Sequence, residues 1–263
     1  MCGRYTMFIK PEELKKRFRA TVSDEVVEQI AKPRYNLAPT QDVPIITMQT
    51  GERTAEMVRW GLIPSWAKDE SIASKLINAR AETLLEKPSF KNAFRQRRCL
   101  VIANGFYEWK SMSAKSIGAG RSGKVTAPKG TIKQPMYLRL KSGEPFAMAG
   151  LWEEWKHPET RVPVRTCTII TTEPNELIAT LHHRMAVILS PTDEDIWLDD
   201  SIPTQDLLRL LRPFPSDLLE AFPVSSRVNT IAADEYSMIE RVDEISVEAR
   251  IDAGEQGSLF EWS

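Results

Sequence analysis

Arg98-Cys99-Leu100-Val101-Ile102-Ala103-Asn104-Gly105-Phe106-Tyr107-Glu108-Trp109 holds two strand candidates back to back, Cys99 to Ala103 and Gly105 to Lys110. Both runs are dominated by aromatic, β-branched and small apolar residues, the composition of strands in a half-buried sheet. Working outward, Val43 to Met48, a Gly51 turn and Thr54 to Trp60 predict a β-hairpin. Met136 to Leu140, Phe146 to Gly150, Val164 to Thr171, Ala186 to Leu189 and Val224 to Asn229 are further strand candidates. Helices are fewer. Pro11 to Phe18 places Pro near a helix N-terminus, a second helix starts near Ser23-Asp24, and Glu82 to Phe94 is partly helical. Glu173 to Leu181 and Pro203 to Leu211 complete the set, while Lys32 to Gln41, punctuated by two prolines, reads as an ordered loop. Strands in hairpin succession with a few interposed helices predict an α+β fold around a mainly antiparallel, barrel-like sheet.

The chain of 263 residues is 42% apolar and 27% charged, ordinary for a folded domain with a substantial core. Three cysteines, no signal-peptide pattern and no apolar run of membrane-spanning length predict a reduced cytoplasmic setting without a membrane partner. Cys99 and Cys167 lie in apolar stretches and are expected in the core. Charge is uneven: residues 232–263 carry nine acids against Arg241 and Arg250, leaving 33 basic and 27 acidic residues in the first 231, a net of +6. A mildly basic body is compatible with binding a phosphate backbone. The expected organisation is one domain over 1–231, interrupted by a Gly-, Ser- and Lys-rich mobile loop at 111–133, and an acidic tail over 232–263.

The chemistry begins at Met1-Cys2-Gly3-Arg4-Tyr5-Thr6. Loss of Met1 would leave Cys2 with an α-amine and a thiol on adjacent carbons, with ordinary pKa values of roughly 7.7–8.0 and about 8.5. Such a residue has two uses. Its amine condenses with an aldehyde and its thiol closes the imine to a five-membered thiazolidine, or the amine serves as base for its own thiol in acyl transfer.

Eight segments follow in order: Met1–Tyr5, Tyr35–Gln41, Arg59–Trp66, Ile77–Thr83, Arg98–Trp109, Ala149–Trp152, Thr171–Asn175 and Leu181–Leu189. Together they resemble the SRAP family, the SOS-response-associated peptidases, whose members crosslink to abasic sites in single-stranded DNA. The resemblance runs from Cys2 to about Asn229. It implies a thiazolidine between Cys2 and the C1′ aldehyde of a ring-opened abasic sugar, with Glu108 as the acid and base beside the amine. His182, first His of Leu181-His-His-Arg-Met185, matches the residue that protonates the sugar ring oxygen; His183 is expected exposed. After Met185 the family's usual Pro is replaced by Ala186. Asn78 matches the residue that positions the terminal Cys, and Arg80, Arg4 and Arg184 would contact phosphates. Pro39, Trp66 and Trp109 resemble surfaces on which bases pack, and Thr171 a phosphate-contacting hydroxyl. Glu82 reads as the structural partner of an Arg.

No metal or cofactor is expected, because the three His and three Cys lack zinc spacing and no Gly-rich phosphate loop precedes a helix. Gln256-Gly-Ser-Leu-Phe260 resembles the peptide by which bacterial repair proteins dock on the sliding clamp, and a monomer suffices for every role. Two other functions stay open: an N-terminal-nucleophile amidohydrolase such as a glutaminase, whose chains also begin Cys-Gly, and a non-catalytic binder of modified bases. DNA-bound protein would be nucleoid-associated.

Overall fold

The structure, a computed structural model, describes residues 2–112 and 132–243. The chain opens with β1 (Tyr5–Met7), α1 (Pro11–Phe18), α2 (Asp24–Ile30) and β2 (Arg34–Leu37), followed by the hairpin β3 (Asp42–Gln49) and β4 (Glu52–Trp60). A three-residue β5 (Asn78–Arg80) precedes α3 (Pro88–Gln96), β6 (Arg98–Ala103), β7 (Gly105–Met112), β8 (Ile132–Leu140), β9 (Phe146–Lys156) and β10 (Pro163–Thr172). α4 (Glu176–Ala179), β11 (Met185–Ala186), β12 (Ile188–Leu189), α5 (Pro191–Leu198), α6 (Thr204–Leu207) and β13 (Leu219–Pro223) finish the order.

The barrel expected from the sequence is present. β10, β4, β3, β6 and β9 pair in turn and β9 pairs back to β10, which closes five strands into a ring. All these pairings are antiparallel except β10 with β4, where Thr166 and Cys167 run parallel to Arg59 and Trp60. All six residues of β6 are buried, because α3 and α5 cover its outer face while its inner face lines the barrel. An uninterrupted apolar run is what a strand buried on both faces requires. Cys99 and Cys167 are fully buried. A second, antiparallel sheet, β13-β8-β7-β1-β2, meets this body where β1 lies against β6 and the Asn104 amide donates to Thr6 O at 2.9 Å.

Several local expectations are corrected. Val224 to Asn229 is not a strand. Pairing with β8 ends at Pro223, and Ser225 then accepts the Arg227 amide to start a 3-10 turn over Ser226–Asn229. The loop over Lys32 to Gln41 contains β2, and Glu82 to Phe94 resolves into a short turn followed by α3. Residues 111–112 and 132–133 extend β7 and β8; the rest of the expected mobile loop, 113–131, lies outside the described residues. The body also continues past residue 231. Asp234 accepts the Asn36 amide at 3.0 Å, Met238 is fully buried, and the Val242 amide donates to Pro223 O at 3.0 Å. Residues 244–263, with the clamp-like peptide, lie outside the described residues.

One glycine fixes the distance between β7 and β8. A Cβ on Gly105 would collide with the ring and hydroxyl of Tyr137, whose oxygen shares a 2.8 Å hydrogen bond with Thr6 Oγ1. Gly105→Ala is expected to cost on the order of 1–3 kcal/mol, read as a lower urea midpoint with unchanged m-value, since Tyr137 is buried and cannot swing away.

Candidate active site around Cys2

β10 does two jobs along its length. Its first half closes the barrel against β4 and β9; its last residues hold β5 on one edge and β11 on the other. Thr171 is the crossing point, opposite Arg80 of β5 and Ala186 of β11. Two short strands, neither stable alone, are thereby fixed on either side of one rigid strand. The segment carrying Asn78 and Arg80 is brought beside the one carrying His182 and Arg184.

Cys2 reaches this place from the second sheet. β1 pairs with β7 through Tyr5 with Phe106, and the Tyr107 amide donates to Arg4 O at 3.0 Å. Cys2 is fully buried and Glu108, on β7, is 2% exposed. Asn78 Nδ2 donates to Cys2 O at 3.0 Å. Among the described residues Asn78 Oδ1 is buried with no hydrogen-bond partner. Burial pushes the Cys2 thiol up to about 12; the neighbouring Glu108 carboxylate adds to the rise, against the opposing pull of the positive chain terminus and the Arg4 amide. Burial likewise pushes the Glu108 carboxyl up to about 7, with the positive chain terminus drawing it back. The site therefore holds a protonated thiol beside a carboxyl that exchanges its proton near neutrality.

His182 follows α4, its amide donating to Ile178 O at 2.8 Å. Burial and the positive chain terminus bring its pKa down to about 4, so the ring is neutral at pH 7. The Arg184 amide donates to His182 Nδ1 at 3.0 Å, which places the neutral ring's proton on Nε2. His183 stacks on it at 4.3 Å and is exposed. Arg184 is held by Glu82 in a two-pronged ion pair, at 2.6 and 2.9 Å, and its Nη2 donates to Thr171 O at 2.6 Å. Glu82 is thus the partner of an Arg, and its carboxyl is held below the usual range by Arg184.

The family described as SOS response associated peptidase (SRAP) matches residues 1–231. The chain belongs to the SRAP family. Among its relatives, the abasic site processing protein YoqW of Bacillus subtilis (strain 168) is 42% identical over 241 residues, covering 91% of this chain and 99% of the relative. The abasic site processing protein HMCES of Gallus gallus is 33% identical over 224 residues, 77% of this chain and 64% of the relative. A crystal structure of a protein from Bacteroides thetaiotaomicron superposes with a TM-score of 0.79 at 28% identity, over 92% of this chain and all of that one.

The outer residues of this SRAP site differ in how free they are. Arg80 is exposed, with no ion pair among the described residues, and Trp66 is 56% exposed. Pro39 is half-buried beside Thr40, which adopts a φ of 73°. Trp109 donates Nε1–H to Asn229 Oδ1 at 2.8 Å, which fixes its ring. Arg4 is half-buried. Its Nη1 donates to Asn36 Oδ1 at 2.8 Å and Val228 O at 2.9 Å, so it braces β1 against the 224–243 segment. Thr171 is 1% exposed; its hydroxyl donates to Ala79 O at 3.4 Å and lies 3.4 Å from Arg184 Nη2.

Asn36 and Asn229 went unassigned in the sequence. Asn36 Nδ2 lies 3.2, 3.1 and 2.7 Å from the carbonyls of Val228, Thr230 and Ala233, gathering the covering segment onto β2. Its place inside Tyr35–Gln41, among the ordered motifs, was the available signal. Among the described residues no cluster of His, Cys, Asp and Glu is placed to hold a metal ion, and no helix is long and apolar enough to cross a membrane.

Proposed function

We propose that this chain, after loss of Met1, captures abasic sites in single-stranded DNA as a thiazolidine on Cys2. The observation that carries the reading is the enclosure of Cys2 between Asn78, which grips its carbonyl, and a buried Glu108 poised near pH 7. The α-amine attacks the C1′ aldehyde; Glu108 takes the proton the nitrogen releases while a solvent proton goes to the carbonyl oxygen, and Glu108 returns a proton to solvent once the ring has closed. The carbinolamine hydroxyl then leaves as water with a proton from Glu108, giving the iminium. Cys2 Sγ adds to C1′ and gives up its proton to the carboxylate, closing the ring; the net change is amine, thiol and aldehyde to thiazolidine and one water.

Amine attack comes first because the thiol is held far above its ordinary pKa and adds well only to the electrophilic iminium. The same fact weighs against a thiolate-first amidohydrolase. His182, neutral with its proton on Nε2, serves as a hydrogen-bond donor to the sugar oxygen; should it take a second proton, Nδ1 can turn its N–H to Arg184 O, 3.2 Å away. Arg80 is the phosphate contact the fold leaves available, and Trp66 the exposed stacking face.

Purified mature protein incubated with single-stranded DNA bearing one abasic site is expected to give a denaturation-resistant gel shift absent with intact DNA. Failure to form the adduct with Met1 gone by mass spectrometry would sink this reading. Trp66→Ala should weaken intact single-strand binding by about 1–3 kcal/mol in fluorescence titration, with folding unchanged.

A further inference from the structure

We infer that Glu82 is a positioning residue for His182, acting through Arg184 across the 78–82 and 182–184 segments. Three observations combine. Glu82 lies two residues beyond Arg80, at the end of the segment whose Asn78 holds Cys2. Its carboxylate takes both terminal nitrogens of Arg184, and Arg184 Nη2 also reaches Thr171 O, so the guanidinium spans from the β5 side to β10. The same Arg184 supplies, from its backbone amide, the hydrogen bond that fixes the His182 ring. One residue thus carries both the clamp and the ring's orientation. Residues 180–184, which join α4 to β11, form no strand or helix of their own, so the place of the ring depends on ties of this kind.

The pair is asymmetric in exposure: the Arg184 side chain is 11% exposed and that of Glu82 53%. A half-exposed carboxylate of this kind contributes little to global folding, so its removal tests geometry without unfolding the domain. The competing role is that Glu82 merely occupies the seat on Arg184 that a phosphate would take. The two roles predict opposite kinetics. A placeholder, once neutralised, leaves Arg184 free, so DNA binds more tightly and reacts at least as fast. A positioning residue, once neutralised, leaves DNA binding as tight or tighter, because a negative charge is gone, while the crosslink forms more slowly.

The kinetic arm rests on the abasic-site reading; the spectroscopic arm does not. Glu82→Gln and Glu82→Asp would be compared with wild type by thermal unfolding, by titration with intact single-stranded DNA, by single-turnover crosslinking at saturating abasic DNA, and by ring-nitrogen NMR of His182 in the free protein. Glu82→Gln is expected to keep its melting temperature and DNA affinity, to crosslink ~10- to 100-fold more slowly, and to lose the single Nε2–H tautomer pattern of His182. Glu82→Asp, which keeps the charge, should recover part of both. Wild-type His182 resonances in Glu82→Gln, or crosslinking as fast as wild type, would overturn the inference. If wild type itself formed no adduct, the function would be wrong while the His182 spectrum still decided the positioning role.

Discussion

Cys2→Ser is expected to abolish the denaturation-resistant adduct with abasic DNA while leaving the fold intact. The Asn78 bond goes to the Cys2 backbone carbonyl and survives the change. What is lost is the sulfur that closes the ring. The serine amine still condenses with the aldehyde, so borohydride reduction should trap an imine adduct on the variant, and this separates the two nucleophiles of the one residue. A buried hydroxyl in place of a thiol also costs roughly 1–3 kcal/mol where it finds no partner, visible as a lower denaturation midpoint. A stable adduct on Cys2→Ser without reduction would show that the thiol is not the trap.

Glu108→Gln keeps shape and removes proton exchange, so the crosslinking rate should fall about 10²- to 10⁴-fold. In wild type the rate should climb as pH rises through about 7, where the carboxyl ionises and can accept the amine's proton; the variant lacks that limb. Stability moves the other way. The folded-state pKa of about 7 lies above the ordinary 4.5, so between those values the folded chain holds its proton more firmly than the unfolded one. The contribution of Glu108 to stability therefore declines as pH rises through this window, and Gln escapes the decline. At pH 8 Glu108→Gln should be the more stable protein, by on the order of 3 kcal/mol. His182, held down at about 4, contributes in the opposite sense over part of this range, so denaturation of wild type and Glu108→Gln together at pH 5 and pH 8 checks the sign: the same difference between the two proteins at both pH values would mean that Glu108 ionises in the fold as it does in water.

The barrel class was legible because β3, β4, β6 and β9 each carry enough β-branched and apolar residues to be recognised alone. Its closure was not, since the parallel contact of Arg59 and Trp60 with Thr166 and Cys167 joins segments more than a hundred residues apart. β5 is three residues long and has no pattern of its own; β10 makes it a strand. α5 was missed although its signals are local: Ser190 accepts the Asp193 amide, Pro191 starts the first turn, and Asp193 and Glu194 lie in it. At the site, the resemblance singled out Cys2, Glu108 and His182, and the structure gathers all three near the chain terminus. The partners did not show in the sequence. Nothing local to Arg4 and Thr171 shows that Asn36, Val228 and Ala79 come from distant segments to hydrogen-bond them.

The enclosure of Cys2 also sets a clock. The N-terminus leaves the ribosome first, yet the residues that wall it in, Asn78, Glu108 and the segment past Val228 that anchors Arg4, are made later, the last of them near the end of the chain. At about 5–20 residues per second, translation of the body leaves an interval of roughly 10–50 s in which the first residues remain open to an enzyme that trims free termini. On the proposed function, removal of Met1 would thereby be favoured during synthesis, ahead of the folding that encloses Cys2.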